Sequence, residues 1–403
     1  MRARDVFLPA IPTLLAVIAA ACSSDPGSTS TSAAPDAALD SDISDATTHG
    51  SDGGDGAVAD AGADAAPVGR LFAFVGCSDG NIRTYTVEEA TGAWTYQAAS
   101  PSGTTPSFLA FDAPRERVFA IDEANDVVRS LIFHPATGSL TERNNQPSGG
   151  GDPAYVSLDP TAQWAFVANY GGGTTSVFPI DATGRIGTAT DTKNSGAMSH
   201  WAGMNPSGDH VFVASLGANV VDEYAWDQTT GKLTPNGTAA PPAGSGPRHL
   251  AFHPSEKWAY LMSETSTTVT TFDYDKSAGT LTAKATISAL PPGQDATGVT
   301  GAEIFVHPSG KFVYGSTRVF DSIAQFSVDP TSGTLTRVAN VMTGGNRPRS
   351  FGMDPEGTFL YAGNQDVNEV VGFRIDVATG ALTSLGKIVD VTGPAFVGLA
   401  RMP

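Results

Sequence analysis

The sequence predicts an all-β chain folded as a seven-bladed β-propeller, closed by its C-terminal strand in blade one. Three observations predict it. A turn of the Asp-Pro-x-Gly type recurs after a short apolar strand, beginning at Asp112, Asp159, Asn205, His253, His307, Asp354 and Ala400, at intervals of 47, 46, 48, 54, 47 and 46 residues. A second, independent marker is the glycine of a Thr-Gly-type turn, at Gly92, Gly138, Gly184, Gly231, Gly279, Gly333 and Gly380, at intervals of 46, 46, 47, 48, 54 and 47. Glycine tolerates the positive φ of a tight turn between strands, and seven copies of a four-strand unit at this period indicate a propeller. The ends are complementary: residues 71–77 match the second strand of a repeat and residues 393–397 match a first strand. Pairing them completes blade one and removes the free sheet edges of an open repeat array.

Three segments precede or make up this repeat. Residues 1–22 read as a lipoprotein signal peptide. Arg2 and Arg4 give a positive start, residues 6–21 are apolar and uncharged, and Ala19-Ala20-Ala21-Cys22 resembles a lipobox, which would make Cys22 the lipidated mature terminus. Ser23 after the cysteine, rather than Asp, points to the outer membrane. Residues 23–67 read as a disordered acidic tether: nine Asp and no Lys or Arg occur between 23 and 69, half of the net charge of −18. Such a stretch cannot bury enough apolar surface to offset its ordering entropy. Residues 68–403 are the propeller. The acidic balance excludes a nucleic-acid footprint, so the membrane is expected to be touched only through the lipid. With Cys22 lipidated, Cys77 is left without an intramolecular partner, and a monomer stabilised by packing is expected.

The first strand of a blade lies innermost and the second returns beside it. The start of one and the end of the other therefore meet at one mouth of the channel. Five residues before each turn marker stand Ser107, Ala154, His200, Arg248, Ala302, Arg349 and Ala395. Eleven residues after it stand Glu123, Tyr170, Leu216, Glu264, Arg318 and Gln365, with Ser78 equivalent in blade one. Blades four to seven thus aim His200, Arg248, Glu264, Arg318, Arg349 and Gln365 at one rim. Arginine offers a planar donor fork for carboxylate or phosphate, and a neighbouring His and Glu can move protons. The plainer alternative is that these charges pair across the channel.

The motifs Gly246-Pro247-Arg248-His249-Leu250-Ala251-Phe252-His253-Pro254, Ser263-Glu264, Gly301-Ala302-Glu303-Ile304, Thr317-Arg318, Arg347-Pro348-Arg349 and Gly363-Asn364-Gln365-Asp366 resemble those of the lactonase family of seven-bladed propellers, typified by 6-phosphogluconolactonase and carboxymuconate cyclase. The resemblance spans residues 70–403. It implies metal-independent, cofactor-free chemistry on a small-molecule lactone, with a catalytic group of one His, one Glu and two Arg. By motif these fall on His200, Glu264, Arg248 and Arg318, with Arg349, Gln365 and Glu303 as substrate-binding or supporting residues. The chain departs from the family pattern at Ser263, Thr317 and Phe305 and around His200, which bears on substrate identity.

His200 is favoured as base because an unperturbed imidazole titrates near neutrality. His249 is expected to point away from the channel, since strand neighbours alternate. His253 and His307 are read as turn residues, and the Asp-rich turns as turn formers rather than metal ligands. The 54-residue interval places extra chain at residues 289–299, on the rim side. Two function classes follow: an exported lactonase, or a non-catalytic envelope propeller that binds glycan or protein.

Overall fold

The computed structural model describes residues 69–403. The signal peptide, Cys22 and the tether lie outside the described residues. The rest forms seven four-stranded antiparallel sheets. In blade one the C-terminal strand Pro394–Met402 is innermost and pairs with Arg70–Cys77, followed by Asn81–Val87 and Trp94–Pro101. Its register runs from Arg70 opposite Met402 to Cys77 opposite Pro394. The predicted closure of the ring is therefore what the chain adopts.

The outermost strands are largely exposed, whereas the second strand of most blades is buried on both faces because it is covered by both neighbouring blades. Tyr260, Tyr314 and Tyr361 occupy one equivalent position in the second strands of blades five, six and seven and are fully buried. Each must bond its hydroxyl to be buried without penalty. Their partners are the carbonyls of the repeated turn glycines in the next blade: Gly333 at 2.9 Å, Gly380 at 2.7 Å and Gly92 at 2.8 Å. Those glycines hold φ near +75°, which a side chain would resist. In these three blades the strand-two tyrosine and the turn glycine of the next blade are thus two halves of one bond between blades. The last of the three bonds spans the ring closure.

His253 and His307 behave as turn residues. Each places Nδ1 against a Ser two residues on and Nε2 against a carbonyl of the next blade, Gly310 or Gly357, at 2.9 Å.

Candidate functional site

The inner strand of six blades carries an irregularity at one place. The register skips Ala154 between Pro153 and Tyr155, His200 between Ser199 and Trp201, and Arg248 between Pro247 and His249. It also skips Arg349 between Pro348 and Ser350, and Ala395 between Pro394 and Phe396. In blade six the pair Ala302 and Glu303 bulges between Gly301 and Ile304. Glu303 apart, these are the residues that the repeat alignment places at the rim. A bulge re-aims a side chain and leaves ladder groups unpaired. Both effects operate here: the bulged His200, Arg248 and Arg349 border one narrow void in the channel, and the freed carbonyls of blade six accept from the neighbouring guanidiniums. Arg248 Nη1 donates to Ala302 O at 2.7 Å, and Arg318 Nη2 to Gly301 O at 3.1 Å.

Glu264 is the hub. Its Oε2 accepts from Arg248 Nε at 2.9 Å and lies 2.9 Å from Arg318 Nη2. The carboxylate is 24% exposed while Arg248 is buried, so Glu264 is the part of this cluster that faces outward. It borders an open hollow of about 280 Å³ together with Arg318, Val319, Gly298, Thr300, Asn346, Arg347 and Asp366. Gly298 comes from the extra chain before blade six, which places that insertion beside the rim as expected. Val319, Asp321 and Arg347 around this hollow all have positive φ. For a non-glycine residue such a conformation costs about 1–3 kcal/mol and persists where surroundings over-determine it. Asp321 Oδ1 supplies part of that hold by accepting from the backbone N–H of both Val319 and Arg347.

His249 overturns the expectation that it faces away. The bulge at Arg248 breaks strict alternation, so both side chains turn to the channel. His249 is buried beneath Arg248, with Nδ1 2.7 Å from Glu303 Oε1 and its ring 5.1 Å from those of His200 and Tyr155. Glu303 accordingly braces a histidine. It also accepts from the Ile304 N–H at 3.1 Å, while its own N–H donates to Ser316 Oγ. Burial pushes the Glu303 carboxyl up to about 8, only partly opposed by Arg248. Burial, then Arg248, holds the His249 imidazole well below its ordinary range. Both shifts favour the neutral forms of the pair.

His200 is buried and its Nδ1 has no partner. Burial first, then the Arg248 guanidinium, keeps this imidazole well below its usual range. It is unprotonated at neutral pH, but it resists taking up a proton. Burial lowers Arg248 to about 10, with the nearby Arg318 charge acting in the same direction against Glu264. Arg318 is lowered by burial too.

The structure brings Arg248, Glu264 and Arg318 together and seats His200 beside Arg248. Arg349 is less free than expected: its Nη2 meets Glu123 of blade two, across the channel, at 3.2 Å. Charge pairing across the channel is thus real at this pair. Gln365 has only a backbone bond, its N–H to Arg347 O at 3.1 Å, and does not border the hollow. Arg347 and Asp366 do border it, 3.9 Å apart. Repeat alignment did not single them out, because it selects one position per strand; the doubled arginine of Arg347-Pro348-Arg349 is the signal that marks the first. A larger cavity, about 850 Å³, opens at the other mouth and is lined mainly by apolar groups such as Phe108, Phe111, Tyr155, Phe305, Phe396 and Leu399. It holds none of this chemistry. Among the described residues no group of three or more His, Cys, Asp or Glu side chains is arranged to hold a metal.

Fold and rim together define a propeller whose channel mouth presents a carboxylate clamped by two arginines above buried histidines. The chain belongs to the lactonase family of seven-bladed β-propellers, whose family model matches residues 72–399. It is 32% identical over 262 residues to the 6-phosphogluconolactonase of Bacillus subtilis, covering 62% of this chain and 74% of that protein. With the 6-phosphogluconolactonase of Pectobacterium carotovorum it shares 31% identity over 219 residues, 54% of this chain and 65% of that relative. The solved periplasmic gluconolactonase of Pseudomonas aeruginosa superposes with a TM-score of 0.76 at 25% identity, covering 83% of this chain and all of that one.

Proposed function

We propose that the chain is a lactonase that opens a sugar lactone or related cyclic ester at this rim. The observation that carries the reading is the Glu264 carboxylate, bridged by Arg248 and Arg318 at the edge of an open hollow. Glu264 Oε2 is committed to the arginines, which leaves Oε1 for a water. In this reading a water beside Oε1 attacks the lactone carbonyl carbon, and Glu264 takes its proton. The oxyanion that forms is stabilised by the two guanidiniums, whose donors are already fixed in place. The ring C–O bond then breaks, and the proton passes to the leaving ring oxygen to give the open hydroxy acid. His200 is placed as a neutral neighbour rather than the base, because its burial next to Arg248 opposes protonation. Named 6-phosphogluconolactonase relatives support the reaction class.

The test is hydrolysis of a lactone panel by the purified chain, with Glu264→Gln and Arg318→Ala as controls. Loss of a placed base or oxyanion donor is expected to lower kcat by about a hundredfold or more. Near-normal rates in both folded variants would reject this site. A folded chain that binds lactones or glycans without turnover would favour the non-catalytic reading.

The same proposal places the enzyme outside the cytoplasm, exported by residues 1–22 and held by a lipid on Cys22, in the outer membrane by the Ser23 criterion. The periplasmic relative is in keeping with export. Cys22→Ser is expected to shift the protein from the membrane to the soluble fraction; unchanged membrane partition would mean the anchor is elsewhere.

A further inference from the structure

We infer, on the lactonase reading above, that a second hollow at the same mouth is a saccharide subsite, so that the preferred substrate is a lactone bearing a further sugar residue. This hollow, about 440 Å³, lies where blades three and four meet, and Asp152, Tyr170, Asn194 and Met198 line it around the backbone of residues 171–173. Tyr170 joins it to the proposed reaction. It follows the second strand of blade three at a rim position, and its ring stands edge-on to that of His200, with centroids 5.6 Å apart. His200 in turn borders the narrow void together with Arg248. The Tyr170 hydroxyl also feels the charged cluster: burial raises it first and then the Glu264 carboxylate, with Arg248 and Arg318 opposing.

The lining has the chemistry of a neutral polyol site. The Tyr170 ring and the Met198 side chain, 40% exposed, supply apolar surface for the C–H face of a sugar. Asp152 and Asn194 supply an acceptor and a donor for sugar hydroxyls, which both donate and accept. Neither group is used up within the fold. The Asp152 carboxylate makes no hydrogen bond or ion pair among the described residues, while its backbone N–H is fixed by Asp126 Oδ1 at 2.7 Å. Asn194 commits only Oδ1, which accepts from the Gly196 N–H at 3.0 Å, so its Nδ2 donor is available. A Cβ at position 171 would fall on the Asp152 carboxylate, so Gly171 is what lets that group lie here. Asp152 and Met198 hold positive φ, 49° and 59°, a conformation that non-glycine residues keep where their surroundings fix it. For Met198 that hold includes its carbonyl, which accepts from the Leu216 N–H at 2.9 Å. No lysine or arginine lines the hollow, so an anionic substituent would meet Asp152 with nothing to offset the repulsion. A purely apolar substituent would bury the carboxylate and the amide unpaired. The volume lies within the roughly 300–1,000 Å³ typical of small-ligand pockets and accommodates one sugar unit beyond the lactone ring.

The experiment measures kcat/KM of the full chain for gluconolactone and for two glucosyl derivatives, cellobionolactone, substituted on O4, and gentiobionolactone, substituted on O6. At least one derivative is expected to be preferred to gluconolactone by about tenfold or more, chiefly through a lower KM. Tyr170→Ala and Asn194→Ala are each expected to bring that ratio to within about threefold. Asn194 is exposed, so its variant decides the matter should Tyr170→Ala fail to fold. If gluconolactone is opened but neither derivative is preferred, or if the preference survives the substitutions, the inference is overturned and the lactonase stands. Hydrolysis of none of these lactones, nor of any other on the panel, removes the lactonase reading and this inference with it.

Discussion

Two acidic residues at this channel mouth illustrate how position decides chemistry. Glu264 reaches outward, keeps partial contact with solvent and is bridged by two guanidiniums. Glu303, in the next blade, is buried against a histidine with its carboxyl raised to about 8. The first faces the hollow, where the proposed reaction has it take a proton from water; burial favours the protonated form of the second, which fixes His249 and with it the floor beneath Arg248. This makes a prediction about stability. Glu303 rises from an ordinary value near 4.5 when unfolded to about 8 when folded, so the folded state binds more protons between those values. Its contribution is complete below pH 4.5 and is lost as pH climbs through 8. The stability advantage of the wild type over Glu303→Gln, measured by urea unfolding, is therefore expected to shrink as pH rises across that window. A difference that stays level, or that grows with pH, would show that the carboxyl is ionised in the folded channel.

At the scale of the strand, the bulge is the device that turns a repetitive sheet into a site. A regular inner strand would send alternate side chains into the packing between blades; a skipped residue at one position adds a second residue directed to the channel. Spacing alone located that position correctly, because the repeats place His200, Arg248 and Arg349 in one register and the skips fall on those residues. What spacing could not disclose is the skip itself, which depends on a local backbone irregularity. The error at His249 follows directly, since two-residue alternation holds only where the ladder is unbroken. Arg347 and Asp366 escaped for a related reason: they sit just outside the inner and second strands of blade seven, Arg347 in a loop and Asp366 in the 3-10 turn Gln365–Val367, where no repeat rule sets the direction of a side chain. The Glu123–Arg349 pair joins residues 226 positions apart, visible only once the ring is closed. The blade architecture was legible because it repeats; the cross-channel and loop contacts occur once each and carry no period.

At the scale of the whole molecule, stability depends on a circle closed without a covalent bond. The strand Pro394–Met402 supplies the innermost strand of blade one, its buried Phe396, Val397 and Ala400 join two of the core clusters, and Tyr361 bonds to Gly92 over the same seam. Truncation after Gly393 would remove this strand, uncover the edge of Arg70–Cys77 and expose the cores on either side. The truncated chain is expected to lose its cooperative thermal transition and to aggregate. Removing so much buried surface could by itself do the same, so a second variant separates closure from core content. Arg70 lies opposite Met402, and Arg401 Nη1 donates to Gly69 O at 3.1 Å, so the two ends of the described chain are already adjacent. A circular permutant can join Pro403 to Gly69 by a short linker and open the chain within residues 292–298, which are exposed. It retains every strand pairing while moving the break from a buried sheet to a surface loop. If noncovalent closure is what the C-terminal strand provides, the permutant should melt cooperatively at or slightly above the temperature of the uninterrupted residues 69–403. A permutant that fails to fold, despite keeping all twenty-eight strands, would mean that the chain ends themselves, rather than the ring they complete, are what assembly requires.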